Sequence, residues 1–123
     1  MNAIGKNTWL FPDMFWPSVT AGSGSVSHEA ICVLNTSKTP ATITLTLFYE
    51  DKEPVENLQF TCCAMRTLHI RMDELRNADG QPIARGVGYA GMVQSDVPVV
   101  VQYTRVDASQ PELALMTTMG YAL

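Results

Sequence analysis

The sequence predicts an all-β protein: one antiparallel β-sandwich domain over residues 1–123, with about eight short strands and at most one or two helical turns. Three observations carry this. Short runs of period-two or β-branched residues recur along the chain, dense turn signals separate them, and no segment sustains a helical period. Strands joined by such connections pack as two layers around one core.

The elements follow in order. Thr8 to Pro17 is rich in aromatic residues and cut by Pro12 and Pro17, which reads as a short strand followed by an irregular covering loop. It carries Trp9 and Trp16, either as a lid on the core or as a stacking surface for a ligand ring. Ala21 to Ser25 is a flexible Gly/Ser loop. Ser27 to Asn35 is apolar on both parities and reads as an interior strand, closed by the turn signal Asn35 to Pro40.

The cleanest alternation comes next, with Ile43, Leu45, Leu47 and Tyr49 on the core face. Thr42, Thr44, Thr46 and Phe48 lie on a face that is solvated or lies in a subunit contact. Charge and Pro54 end that strand. Leu58 to Cys62 and Arg66 to Met72 are two more strands, with a turn or bulge at Ala64-Met65, then a helical turn at Asp73 to Leu75 and a loop at Asn77 to Pro82. Val87 to Val93 is a strand rich in small residues. Gln94-Ser95-Asp96 reads as a polar turn into the strongest β-branched run of the chain, Val99 to Val106, placed centrally. A second turn at Ala108 to Glu112 leads to a last strand, Leu115 to Ala122.

The chain is long enough to bury a core without staples. Its hydrophobic share of 46% excludes a disordered protein, and its net charge of −4 opposes a nucleic-acid partner. Three cysteines, Cys32, Cys62 and Cys63, are an odd count, and adjacent Cys62 and Cys63 point to opposite faces of a strand. With no export signal and no apolar span of membrane length, the expected location is the cytoplasm.

Strand directions bring polar residues together. If successive strands are hairpins, His28, Glu29, Asp51, Glu53, Arg105 and Asp107 gather at one end of the sandwich, and Asn35, Gln94 and Ser95 at the other. Carboxylates mixed with one Arg and one His suit a polyhydroxylated or amine-bearing small molecule, with Trp9 or Trp16 supplying a ring face. The alternative is that these charges are ordinary strand-end residues that pair among themselves.

Other chemistry finds little footing. His28 and His69 lack short ligand spacing and the cysteines lack a Cys-x-x-Cys, so neither metal nor cofactor is expected. There is no nucleophile elbow, and Gly86-Val87-Gly88 is not a phosphate loop. The expectation is a protein that is not an enzyme, a carbohydrate-active enzyme being the weaker option through paired carboxylates.

Several blocks together resemble the sensory rhodopsin transducer family. They are Ser27-His28-Glu29, Cys32-x-Leu34-Asn35, Tyr49-x-Asp51-Lys52-Glu53-Pro54, Arg66-Thr67-x-His69-x-Arg71, and the run from Gln94-Ser95 through Pro98, Gln102, Thr104 and Arg105 to Asp107. The resemblance runs from about Trp9 to Ala122. It implies a small soluble β-sandwich that forms a homotetramer, either binding a small polar, carbohydrate-type ligand or acting as an adaptor for a sensory rhodopsin or other signalling partner. By motif it places the ligand-binding positions on Trp9, His28, Glu29, Asp51, Glu53, Arg105 and Asp107, with Asn35, Arg66, His69, Gln94 and Ser95 secondary. Three departures stand out: Pro12 to Ser25 does not follow the family pattern, Tyr103 replaces an expected histidine, and Pro111 interrupts the last turn.

Overall fold

The computed structural model describes residues 2–15, 17–18 and 26–123. The loop expected over Ala21 to Ser25 and the Trp16 ring lie outside the described residues. Among the described residues eight strands follow one another: β1 (Lys6–Met14), β2 (His28–Asn35), β3 (Ala41–Phe48), β4 (Val55–Cys62), β5 (Arg66–Arg71), β6 (Tyr89–Asp107), β7 (Ala114–Met119) and β8 (Tyr121–Ala122). A 3₁₀ turn at Met72–Glu74 follows β5, close to the helical turn expected there.

Every strand pairing is antiparallel. One sheet has the order β4-β3-β6-β1-β8; the other places β2 between β5 and β6, with β7 on the far side of β6. The long strand β6 therefore belongs to both. Its first half, to Ser95, pairs with β1 and β3, Val99 still pairs with Lys6 of β1 beyond an irregularity, and from Val100 onward it pairs with β2 and then also with β7. The turn expected at Gln94-Ser95-Asp96 is not there, and the expected hairpin strands 87–93 and 99–106 are one continuous strand.

The polar triplet is used inside the ladder instead. Gln94 lies between Thr8 and Thr44, the Ser95 carbonyl accepts from Asn7 Nδ2 at 2.9 Å, and Asp96 Oδ1 accepts the Thr42 amide at 2.7 Å. Pro98, which cannot donate to a ladder, stands at the changeover. Buried positions keep one parity throughout: Tyr89, Gly91, Val93 and Ser95, then Val99, Val101 and Tyr103. The strand thus wraps the core with its inner face unbroken.

Two further boundaries differ from expectation. β1 runs through Pro12 as a strand rather than a covering loop, because an irregularity between Phe11 and Met14 takes up the proline without losing the pairing of Met14 with Tyr89. The expected last strand is split at Gly120, where the chain leaves one sheet for the other. A Cβ at Gly120 would lie 2.8 Å from both the Leu10 carbonyl and the Phe11 ring, so only glycine fits the crossing.

The core is built from the inner faces of the two sheets. Phe11, Met14, Ile43, Leu45, Leu47 and Val93 face Ile31, Val33, Ile70, Val99, Val101 and Tyr103. β2 contributes Glu29 and Asn35 on the same buried parity as Ile31 and Val33, which puts a polar group at each end of its core face.

Candidate functional site

The bend in β6 creates the site. Straight, the run from Tyr89 to Arg105 would extend about 50 Å; folded over the core, both ends meet Glu29. The Tyr89 hydroxyl donates to Glu29 Oε1 at 2.5 Å, and Arg105 Nε lies 3.6 Å from Oε2. The Phe15 amide, just beyond β1, donates to Oε2 at 2.8 Å. Arg105 Nε donates to the Tyr103 hydroxyl at 3.0 Å, and its guanidinium lies 5.7 Å from the Tyr103 ring centroid and 6.0 Å from that of Phe15.

Glu29 is fully buried, and Arg105 keeps 21% of its side chain exposed. Burial raises the Glu29 carboxyl above its ordinary range, against the lowering effect of Tyr89, Phe15 and Arg105. The Tyr89 phenol is pushed far up, first by burial and then by the adjacent carboxylate, so it stays a donor. Arg105 Nη2 is buried and has no hydrogen-bond partner among the described residues. A buried guanidinium N–H without an acceptor costs roughly 1–3 kcal/mol, and such exceptions call for a specific explanation.

Tyr89 also belongs to a surface cavity of about 280 Å³, lined by Pro12, Asp13, Phe48, Tyr49, Glu50, Gly88, Tyr89 and Ala90. Tyr49 stacks on Tyr89 with centroids 5.8 Å apart and planes at 23°, and Lys52 Nζ sits 4.2 Å from the Tyr49 ring centroid. Tyr89 therefore links an aromatic surface cavity to the buried Glu29–Arg105 pair.

The expected site residues divide. Glu29 and Arg105 meet, as the strand directions required, although a bent strand rather than a hairpin brings them together. His28 pairs in register with Val106 at the same end, and its Nδ1 lies 2.9 Å from the Val26 carbonyl. Asp107 accepts from the Ser109 hydroxyl and amide, which with Arg105 lowers its carboxyl. Asp51 and Glu53 are exposed in the turn after β3, where Glu50 rather than either of them lines the cavity.

Trp9 does not join the cluster. It is buried in the core, and its Nε1 donates to the Lys6 and Val99 carbonyls at 3.2 and 3.0 Å, so the ring is a sealing residue rather than a stacking face for a ligand. Asn35 pins two turns together, Nδ2 donating to the Thr39, Cys62 and Cys63 carbonyls while Oδ1 accepts from Ser37. Arg66 donates to the Ala64 and Met65 carbonyls, and His69 is exposed opposite Cys32 on β5. Gln94 and Ser95 lie on β6 away from Glu29, in the first sheet's ladder.

Sequence patterning does not mark Tyr89, Tyr49 or Tyr103 as site residues, and Phe15 stands out there only as part of an exposed aromatic segment suited to a protein contact. For Tyr89 the signal was its parity, shared with Gly91 and Val93, overshadowed by the small residues around it. Tyr103 is one of the departures from the family pattern, and it accepts the Arg105 hydrogen bond. Among the described residues, no group of three His, Cys, Asp or Glu side chains is placed to hold a metal ion. No helix among them is long and apolar enough to cross a membrane.

These features define a small all-β sandwich with a charged pair buried at one end and an aromatic cavity beside it. The chain belongs to the Anabaena sensory rhodopsin transducer family, whose pattern matches residues 4–122. Among solved structures it is similar to the Thermotoga maritima 1070 protein, at 37% identity and a TM-score of 0.85 over 97% of this chain and 96% of that one. It is also similar to the Anabaena sensory rhodopsin transducer, at 36% identity and a TM-score of 0.74 over 85% of this chain and 99% of that one. Comparison with curated proteins gives no match.

Proposed function

We propose that this transducer-family protein is a non-enzymatic, cytoplasmic binding protein that reports a small polar, carbohydrate-type ligand to a signalling partner. The observation that carries the reading is Tyr89, whose ring lines the surface cavity while its hydroxyl holds the buried Glu29. The half-buried Tyr49 ring, backed by the buried Tyr89 ring, suits the apolar face of a sugar, and Asp13 and Glu50 are acceptors for its hydroxyls. Asp51 and Glu53 lie on the turn that carries Tyr49 and Glu50, and His28 and Asp107 flank the buried pair. A ligand that shifts Tyr89 shifts the hydrogen bond to Glu29, and through Arg105 the β6 ladder to β7. That is a route from cavity to surface.

Thermal unfolding across a panel of monosaccharides tests this. Ligand at ~100 times Kd stabilises the fold by roughly 2.7 kcal/mol, and Tyr89→Phe, which keeps the ring and removes the bond to Glu29, binds but transmits less to β7 amides in hydrogen exchange. A panel without any shift sinks the ligand reading.

A second reading, an adaptor acting by protein contact, is favoured by β7. All six of its residues are exposed, and Leu113 to Leu123 carries no charged side chain. Edge strands usually carry charge or proline against unwanted pairing. In this reading the uncharged edge is covered by another copy of the chain, as in the expected homotetramer, or by a signalling partner such as a sensory rhodopsin.

A further inference from the structure

The geometry points to an organic cation, a protonated amine on a small ligand, as the chemical class that the Tyr49–Tyr89 cavity selects, with Lys52 as a tethered competitor for it. This rests on the cavity being the ligand site and goes further by naming the charge of the ligand. Lys52 Nζ lies 4.2 Å from the Tyr49 ring centroid, within the range at which an ammonium is held by the ring quadrupole. The protein thus already seats a primary ammonium on one of the cavity's rings. Tyr49 is stacked on Tyr89, and Tyr89 is held by Glu29, so the aromatic surface is fixed rather than free to turn away.

The charges around the rings point the same way. Asp13 and Glu50 line the cavity. Among the described residues the salt bridges are Arg71–Asp73 and Arg105–Glu29, so neither cavity carboxylate is neutralised by an ion pair. A neutral sugar would satisfy these carboxylates only through hydroxyl hydrogen bonds. An amine supplies charge-assisted bonds to the carboxylates and a cation for the ring. The Lys52 ammonium is chemically equivalent to that amine and is tethered beside the cavity rather than in its lining, so it competes with an incoming amine for the Tyr49 ring.

The probes are glucosamine, glucose and tetramethylammonium, titrated by NMR against wild type, Glu50→Gln and Lys52→Ala, reading Tyr49 ring shifts and Kd. Wild type is expected to bind glucosamine at least 10-fold more tightly than glucose. Lys52→Ala strengthens glucosamine and tetramethylammonium several-fold by vacating the ring, and Glu50→Gln weakens both several-fold. Equal affinity for glucose and glucosamine overturns the cation inference while leaving the sugar reading intact. Tetramethylammonium shifting Tyr49 when neither sugar binds supports the cation class against the sugar. If none of the three probes moves Tyr49, both readings fall. Amine affinity unchanged or weakened in Lys52→Ala overturns the role given to Lys52.

Discussion

Glu29 and Leu115 break opposite rules of folding. Glu29 is a carboxylate with no exposed surface, and Leu115 is an aliphatic side chain left 72% exposed. They stand at two ends of one hydrogen-bonded path, since Arg105 on β6 pairs with Glu29 on β2 and with Met116, beside Leu115, on β7. Buried polar groups and exposed apolar patches are the informative exceptions in a folded protein, because each runs against the dominant driving force and needs a partner to offset it. Glu29 finds its partners within the chain, in Tyr89, Phe15 and Arg105. β7 pairs with β6, but among the described residues nothing covers the Leu115 side chain, which separates an internal polar device from an outward-facing surface.

Three substitutions sharpen that contrast. The largest effect is expected for Glu29→Ala, which removes the carboxylate that accepts from the Tyr89 hydroxyl and the Phe15 amide and leaves the Arg105 charge without its ion-pair partner. The loss is about 3–5 kcal/mol in urea unfolding. A loss under about 1 kcal/mol would mean that the cluster is hydrated and not the closed unit described above.

An intermediate effect concerns pH. Burial raises the Glu29 carboxyl above its ordinary value of 4.5, so in the window above 4.5 the folded state binds the proton more tightly than the unfolded chain does. Wild type therefore gains stability as pH falls through that window from neutral toward 4.5, and above the window it carries a constant cost. Asp73 and Asp107 have lowered carboxyls and act in the opposite sense, their contributions being lost as pH falls below 3.8. The difference between wild type and Glu29→Gln isolates Glu29. Its pH profile should tilt toward wild type on acidification; a flat difference profile would show that the three donors balance burial, and the opposite tilt that they outweigh it.

The smallest change in folding stability is expected for Leu115→Glu, within about 0.5 kcal/mol, because an exposed edge position loses little on substitution. Its consequence should appear in association instead. If β7 makes the proposed contact between copies, sedimentation velocity shows a smaller species than wild type, and an unchanged sedimentation profile removes β7 from that proposed contact.

Much of this was legible in the residues themselves. The Ile43, Leu45, Leu47 alternation marks β3, and the parity of β2 places Glu29 with Ile31 and Val33. The opposed directions of β2 and the second half of β6 bring Arg105 beside Glu29. Trp9 illustrates the limit, because an indole near a polar motif looks the same whether its N–H meets a ligand or the Val99 carbonyl. Gln94-Ser95-Asp96 illustrates it again: three polar residues between apolar runs have turn chemistry locally, but Asn7 and Thr42, remote in sequence, engage them and keep the strand extended.

Local sequence determined the class of the protein, since period-two patterning and turn chemistry are properties of neighbouring residues, and it determined which residues could supply charge. Only the tertiary structure decided that β6 would bend across both sheets and bring its two ends onto one carboxylate. That outcome depends on which strands compete for the ladder on either side of Pro98, and no local window of the chain contains both competitors. The same bend places the Tyr89 ring in the cavity and its hydroxyl in the core, so the link between surface and buried pair belongs to the fold rather than to any motif.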